Sequence, residues 1–251
     1  MSDYRELAPP PPLAALVECL WTSRSVGAPV APAVHRVLPD GCMDILFDFT
    51  AAGDQRVAII GTMRRPQLIA TRGAIDLLGL RFRPGGLAAL LRLDAAELTD
   101  ARAGLSSFVG SRAFALWQRL VDQPAAFRPA LLIGWLGEMA GDAAPLDPLI
   151  AHCVTRIERA AGTLRIASLT ADTGVGARQL ERKFARFVGV APKTFARITR
   201  FKSVIAAGAA GGADDWAQRA AACGFADQAH LVREFKSLSG LTPGNYFAAA
   251  R

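Results

Sequence analysis

The stretch from Ser168 to Tyr246 states one pattern twice. The first copy reads SLTADTGVGARQLERKFARFVGVAPKTF and the second WAQRAAACGFADQAHLVREFKSLSGLTPGNY. Gly174 answers Gly224, 50 residues on, and six further pairs are offset by 51: Leu180 and Leu231, Arg182 and Arg233, Phe184 and Phe235, Gly189 and Gly240, Pro192 and Pro243, Phe195 and Tyr246. A repeated unit names the piece that folds. Two copies are too few to stack into a solenoid, so the pattern predicts a pair of related helical subdomains.

Each copy reads as a short helix, a glycine turn and a longer second helix, the grammar of a helix-turn-helix. Leu169 and Val175 are core positions on either side of Gly174. A turn there needs positive φ, which a Cβ penalises. Leu180, Phe184 and Phe187 mark the buried side of the first long helix, which leaves Arg178, Glu181, Arg182 and Ala185 on the other. In the second copy Leu231, Phe235 and Leu238 point inward, leaving Gln228 or Ala229, Val232, Arg233 and Lys236 outside.

Those outward residues have the chemistry that a DNA major groove asks for. Arginine can bond guanine O6 and N7 together, glutamine can read adenine, and glutamate can accept from cytosine N4. Small residues such as Ala177, Ala229 and Val232 allow close approach and contact with thymine methyls. Lys183, Arg186 and Lys236 are placed to hold phosphates, which fixes register without reading sequence. Charged outward faces are also ordinary solvated surface, and one copy alone would not separate the two readings. Charge distribution favours the DNA reading. Residues 1–146 hold 14 Lys and Arg against 14 Asp and Glu, whereas 147–251 hold 15 against 8, so the whole excess of +7 lies with the repeat. A basic segment beside a neutral one predicts a polyanionic partner for the basic half.

Residues 148–251 resemble the DNA-binding domain of the AraC/XylS family of bacterial transcription regulators. The carriers are G-V-G-A-R-Q-L-E-R-K-F (174–184), G-V-A-P (189–192), G-F-A-D-Q-A-H-L-V-R-E-F (224–235) and G-L-T-P-G-N-Y (240–246). The resemblance implies an all-α domain of two helix-turn-helix subdomains joined by a long helix, here about Pro192 to Ala209. It places the base-contacting residues at Arg178, Glu181 and Arg182 in the first copy and at Gln228, Ala229, Val232 and Arg233 in the second. It also implies RNA polymerase as a partner. Two positions depart from the family pattern. Arg219 stands where a large aliphatic residue is usual, and Thr170 stands where alanine is usual. A charge at a core position is costly unless its head reaches water, so looser packing is expected in the second unit, more so with Gly208, Gly211 and Gly212 near the end of the connecting helix.

Seven helices are expected in this half, near 148–161, 165–173, 177–188, 192–209, 214–223, 227–239 and 243–249. Gly141 to Pro148 (GDAAPLDP) is the best linker, between a domain at 1–140 and one at 148–251.

Ahead of the linker the pattern is α+β, a small and mostly antiparallel sheet followed by helices. Leu13, Leu16, Val17 and Leu20 at i, i+3, i+4 and i+7 predict a short helix ending near Trp21, and 22–34 reads as a loop. Strand-like runs follow at His35–Leu38, Met43–Phe49, Arg56–Ile60, Gln67–Ala70 and Ile75–Phe82. Turn signals separate them at Pro39-Asp40-Gly41, Ala52-Gly53-Asp54 and Thr71-Arg72-Gly73. Helices are expected from Pro84 to about Leu93, at 111–122 and at 126–140. R-V-L-P-D-G-C-M-D-I-L-F (36–47), G-T-M-R-R-P (61–66) and G-L-R-F-R-P-G-G (79–86) resemble an N-terminal domain found on a subset of these regulators. By analogy it senses a small molecule or mediates homodimerisation.

Three constellations in this half bear on chemistry. Arg81, Arg83, Gly85 and Gly86, where a strand gives way to a helix, could hold an anionic effector on free backbone N–H groups. His35, Asp40, Cys42 and Asp44 have the chemistry of metal ligands, but Asp40 sits in a Pro-Asp-Gly turn where aspartate serves the backbone, and Cys42 suits a small apolar site. No metal or other cofactor is expected. Cys42 as an acyl- or methyl-accepting nucleophile, the alternative in which a ligand-modifying enzyme or alkylation sensor drives DNA binding, would need a base and a depressed pKa. Nothing beyond His35 offers one, so no catalytic set is expected. The four cysteines show no CxxC spacing and suit a reducing compartment. No signal sequence or apolar run of membrane-spanning length is present, so a soluble cytoplasmic protein without membrane contact is expected.

Overall fold

The computed structural model describes residues 2–25, 30–53, 56–141, 143–209 and 216–249. Asp54, Asp142, Gly211 and Gly212, named above, lie outside the described residues.

The N-terminal sheet is antiparallel throughout. It contains β1 (Ser2–Leu7), β2 (Val17–Ser25), β4 (Met43–Asp48), β5 (Val57–Ile60), β7 (Asp76–Phe82) and β8 (Arg102–Gly104), in the order β1-β2-β7-β4-β5-β8. β3 (Val30–Val37) and β6 (Gln67–Gly73) form a separate two-stranded ribbon. Alternation in β4 works as the period-2 pattern predicts: Met43, Ile45 and Phe47 are buried, while Asp44, Leu46 and Asp48 are half-buried. At the sheet centre Trp21 stands opposite Gly79, where a Cβ would come within 2.1 Å of the indole, so glycine makes room for the ring.

Helices cover the sheet: α1 (Gly86–Leu91), α2 (Ser106–Val109), α3 (Arg112–Val121) and α4 (Arg128–Gly141), with a 3-10 turn at Ala95–Leu98. Leu116, Leu120, Leu132 and Leu136 close one core with Leu20, Ile45, Phe47 and Leu80.

Three expectations for this half are corrected. The helix expected from Leu13 to Trp21 is a 3-10 turn at Pro11–Leu13 followed by β2. β2 lies between β1 and β7 and buries Val17, Cys19 and Leu20 together, so its apolar residues do not alternate and mimic a helical spacing. The loop expected at 22–34 is occupied by the end of β2 and the start of β3 on either side of residues outside the description. Thr71-Arg72-Gly73 continues β6 instead of turning, held by pairing of Thr71 with Ala33 and of Gly73 with Val30.

The second half is all helix among its described residues: α5 (Pro148–Arg159), α6 (Ile166–Thr173), α7 (Ala177–Val188), α8 (Pro192–Ala209), α9 (Trp216–Ala222), α10 (Gln228–Ser239) and α11 (Pro243–Ala249). It holds two cores. Leu169, Leu180, Phe184 and Val188 pack with α5, and Leu231, Phe235 and Leu238 pack with Ala220. α8 serves both, giving Phe195 and Ala196 to the first and Ile198, Phe201 and Val204 to the second. Gly208 lies within α8 under Phe247, whose ring would be 2.1 Å from an added Cβ, so there glycine admits an aromatic and does not end the helix.

Candidate nucleic-acid interface

Both helix-turn-helix units are built by the same local rules. Gly174 follows α6 at φ 67 and Gly224 follows α9 at φ 73, a left-handed conformation in which L side chains are strained. The longer helices also end alike, on Gly189 at φ 86 and Gly240 at φ 77, each returning its N–H to the carbonyl four residues back, at 2.8 Å. Their starts differ. Asp227 caps α10 by accepting from the His230 backbone N–H at 2.6 Å, whereas Gly176 begins α7 with no side-chain cap.

On α7, burial of Leu180, Phe184 and Val188 turns Ala177, Arg178, Gln179, Glu181, Arg182 and Arg186 to solvent. Phe187, expected on the buried side, is half-buried and reaches the N-terminal core as well. On α10, Gln228, Ala229, Arg233 and Lys236 are exposed and Val232 is half-buried. Gln179 was missed because it lies between the two helical stripes of the sequence reading. Among the described residues no ion pair engages Arg178, Arg182, Arg186, Arg233 or Lys236. Elsewhere in these units Arg156 pairs with Asp172 at 2.6 Å and Arg197 with Glu234 at 3.0 Å.

Lys183 differs from its neighbours. It is half-buried, and its ammonium lies 2.6 Å from the Asp147 carboxylate, which also caps α5 through the Leu149 and Ile150 N–H groups at 3.0 and 3.2 Å. Burial works to raise the Asp147 pKa, but the bonds from Lys183, Ile150 and Leu149 outweigh it and hold the carboxyl below its ordinary value.

The two departures from the family pattern are accommodated. Arg219 is half-buried with its guanidinium 4.7 Å from the Trp216 ring centroid, a cation–π contact that spares it the core. Thr170 returns its hydroxyl to the Ala167 carbonyl at 2.9 Å. α10 is also tied to α8, because Glu234 takes Arg197 at 3.0 Å and Arg200 at 3.8 Å, and the Phe201 and Phe235 rings meet edge to face at 4.9 Å.

The residues weighed for an anion are not gathered round one opening. Arg81 faces Asp40 at 3.1 Å, Asp44 at 3.6 Å and Glu6 at 3.7 Å. Arg83 donates to the Ala14 carbonyl at 2.8 Å. Gly86 packs so tightly on Leu16 that a Cβ would lie 2.2 Å from its carbonyl oxygen. Gly85 takes φ 88 to start a helix of only six residues. Burial disfavours charge on both Arg81 and Asp44. For Arg81 the Asp44 and Asp40 carboxylates outweigh it and the guanidinium stays charged, while Asp44, largely taken out of water, is pushed up to about 7 although Arg81 works the other way, with Asp40 adding to the rise.

Cys42 is buried, donates to the Glu18 carboxylate at 3.3 Å and has its pKa raised well above the ordinary thiol value, by burial first and Asp40 next. A nucleophilic thiolate needs the opposite shift. Asp40 accepts from the Cys42 N–H at 2.9 Å, the local turn bond expected of it. Among the described residues no group of three or more His, Cys, Asp or Glu could hold a metal, and no helix is long and apolar enough to cross a membrane.

Residues 169–249 match a family model described as a helix-turn-helix domain, and residues 5–104 match one described as a domain of unknown function, DUF6597. No curated protein sequence matches the chain. Among solved structures, ToxT from Vibrio cholerae O395 is similar at 12% identity, covering 99% of this chain and 96% of ToxT, with a TM-score of 0.43. Wild-type ToxT from Vibrio cholerae strain SCE256, bound to an unsaturated fatty acid, is similar at 12% identity over 98% of this chain and 94% of its own, with a TM-score of 0.41. The C-terminal region is an AraC-type helix-turn-helix domain, and a DUF6597 domain precedes it.

Proposed function

We propose that α7 and α10 enter successive major grooves on one side of a duplex and read sequence there. The observation that carries this reading is a match between the repeats. Arg182 and Arg233, equivalent by position, are both exposed and, among the described residues, outside any ion pair, and both helices are mounted on α8. At 1.5 Å per residue, the 18 residues of α8 span about 27 Å, close to the roughly 34 Å between successive grooves. Arg178, Glu181 and Arg182 contact bases from the first helix, and Gln228, Ala229, Val232 and Arg233 from the second. Ala177 permits close approach, and Arg186 and Lys236 hold phosphates. Lys183 joins them only when it leaves Asp147.

In this reading residues 148–251 form the DNA-binding domain, 141–147 the connection and 1–140 a regulatory domain that responds to a small molecule or to dimerisation. Arg182→Ala and Arg233→Ala are each expected to cost about 1–3 kcal/mol of specific affinity and to relax preference at different base pairs. Competition between the selected duplex and random duplexes measures this. A variant that keeps the wild-type ratio of specific to random affinity removes that arginine from base reading.

A further inference from the structure

The N-terminal domain holds the C-terminal ends of both recognition helices, and it does so at equivalent positions of the repeat. At the end of α7 the Thr62 hydroxyl donates to the Val188 carbonyl at 2.6 Å, and the Thr99 hydroxyl donates to the carbonyl of Gly189. At the end of α10 the Arg36 guanidinium donates to the Ser239 carbonyl at 2.6 Å. Val188 and Ser239 are the residues just before the paired glycines, Gly189 and Gly240.

The last carbonyls of a helix lack intrahelical partners and carry its negative end, so hydroxyl donors and a cation are the groups that suit them. Thr62 is fully buried at the first junction, whereas at the second the buried Ser239 hydroxyl is satisfied within its own helix end, by the Phe235 and Leu241 carbonyls at 2.8 and 2.9 Å, and only the Ser239 carbonyl meets the N-terminal domain. A buried polar group whose partner is lost carries a desolvation penalty, which makes each junction specific in geometry.

One short loop reaches both ends. Thr62 lies against Gly189, whose added Cβ would be 3.0 Å from the Thr62 hydroxyl, and Pro66 lies 3.7 Å from the Cβ position of Gly240. Four residue-to-residue steps lead from Thr62 to Pro66, at most about 14 Å when extended, so the loop limits how far the helix ends can part. Between these contacts the domain also sits on the connecting helix. Gly41 packs on Phe195, Lys202 donates to the Asp40 carbonyl at 3.3 Å, and Leu38 joins the second subdomain's core.

We propose that the N-terminal domain sets the separation and tilt of the two recognition helices, with Arg36, Thr62 and Thr99 as positioning residues, and so determines which half-site spacing the protein accepts. This rests on both helices reading DNA. A signal that moves the 61–66 loop or the β3–β6 ribbon would then change the accepted spacing.

The test uses the full chain. Nitroxides placed by Arg186→Cys and Ser237→Cys, in the last turns of α7 and α10, report the distance between the helix ends without DNA. The expected result is one narrow distance in the otherwise native chain, and a broadened or shifted distribution when Arg36→Ala is added alone or Thr62→Val is added with it. Without labels, binding is compared on the selected operator and on versions with one base pair inserted or deleted between the half-sites, a change of about 3.4 Å and a tenth of a turn. The native chain is expected to favour its own spacing by about tenfold, and the variants by less than about threefold, with affinity for one isolated half-site unchanged. Thr62→Val keeps side-chain volume and Arg36 lies on the two-stranded ribbon, so a folded variant is expected in either case. A native distance distribution in both variants, or native spacing discrimination in both, overturns the proposal. If the native chain selects no duplex, DNA reading by both helices fails, and the distance measurement still decides whether this domain holds the helix ends.

Discussion

Asp147 joins two functions that substitution can separate. Its carboxylate caps α5 through two backbone N–H groups and holds the Lys183 ammonium at 2.6 Å, away from any phosphate. Losing an N-cap of this kind costs about 1 kcal/mol. The ion pair adds about 0.5 kcal/mol, discounted because the Lys183 side chain is 37% exposed. Asp147→Ala removes both and should cost about 1.5 kcal/mol in urea unfolding. Asp147→Asn keeps a good cap and should cost only about 0.5 kcal/mol. Because the folded-state pKa of Asp147 is lowered, its contribution is complete above the ordinary carboxylate range and disappears as pH falls through the folded value. Asparagine abolishes that acid dependence. Both variants free Lys183, so the salt slope of duplex binding should steepen by up to about 0.9, the share of one added phosphate contact. Equal destabilisation by alanine and asparagine would refute the capping role, and an unchanged salt slope in both would refute the idea that Asp147 withholds Lys183 from DNA.

Two further perturbations test the N-terminal domain. Asp44 holds its proton up to about 7 when folded but releases it near 4 when unfolded, so its contribution to stability falls as pH rises between those values; Asp44→Asn should flatten that slope in urea titrations followed by far-UV circular dichroism, and an unaltered slope would show that Asp44 is not the group responsible. The four free cysteines are all buried, and burial raises each thiol's pKa; a chromogenic disulfide or an alkylating agent should label none of them in the native chain and all four in denaturant, whereas rapid native labelling of Cys42 would revive the sensor reading.

The helical half was legible in the sequence because its signals are local. Leu180 and Phe184 share a face at i and i+4, Gly174 and Gly189 punctuate, and the repeat states each signal twice. The observed helices from α5 to α11 fall close to their expected bounds. The first half was less legible where the sheet decides. β1 is a polar edge strand, Ser2–Leu7, whose identity as a strand comes from pairing with Trp21 to Ser25 and Leu20, not from its own pattern. Nor could spacing show that Arg81 faces three carboxylates or that Lys183 is held by Asp147. The partners lie 37 and 36 residues away in the nearer cases, Asp44 with Arg81 and Asp147 with Lys183, and tertiary packing alone brings them together. The outward faces of α7 and α10 were readable, since exposure there follows from helical period. The junctions at Thr62 and Arg36 were not, because hydroxyl and guanidinium donors give no sign in sequence of which helix end they will meet.

Selection of bound sequences from a random duplex pool by the full chain tests paired reading most directly. The expected outcome is one motif made of two half-sites about one helical turn apart, with Arg182→Ala degrading one half and Arg233→Ala the other. Recovery of a single half-site, or of a motif that neither substitution alters, would contradict the account.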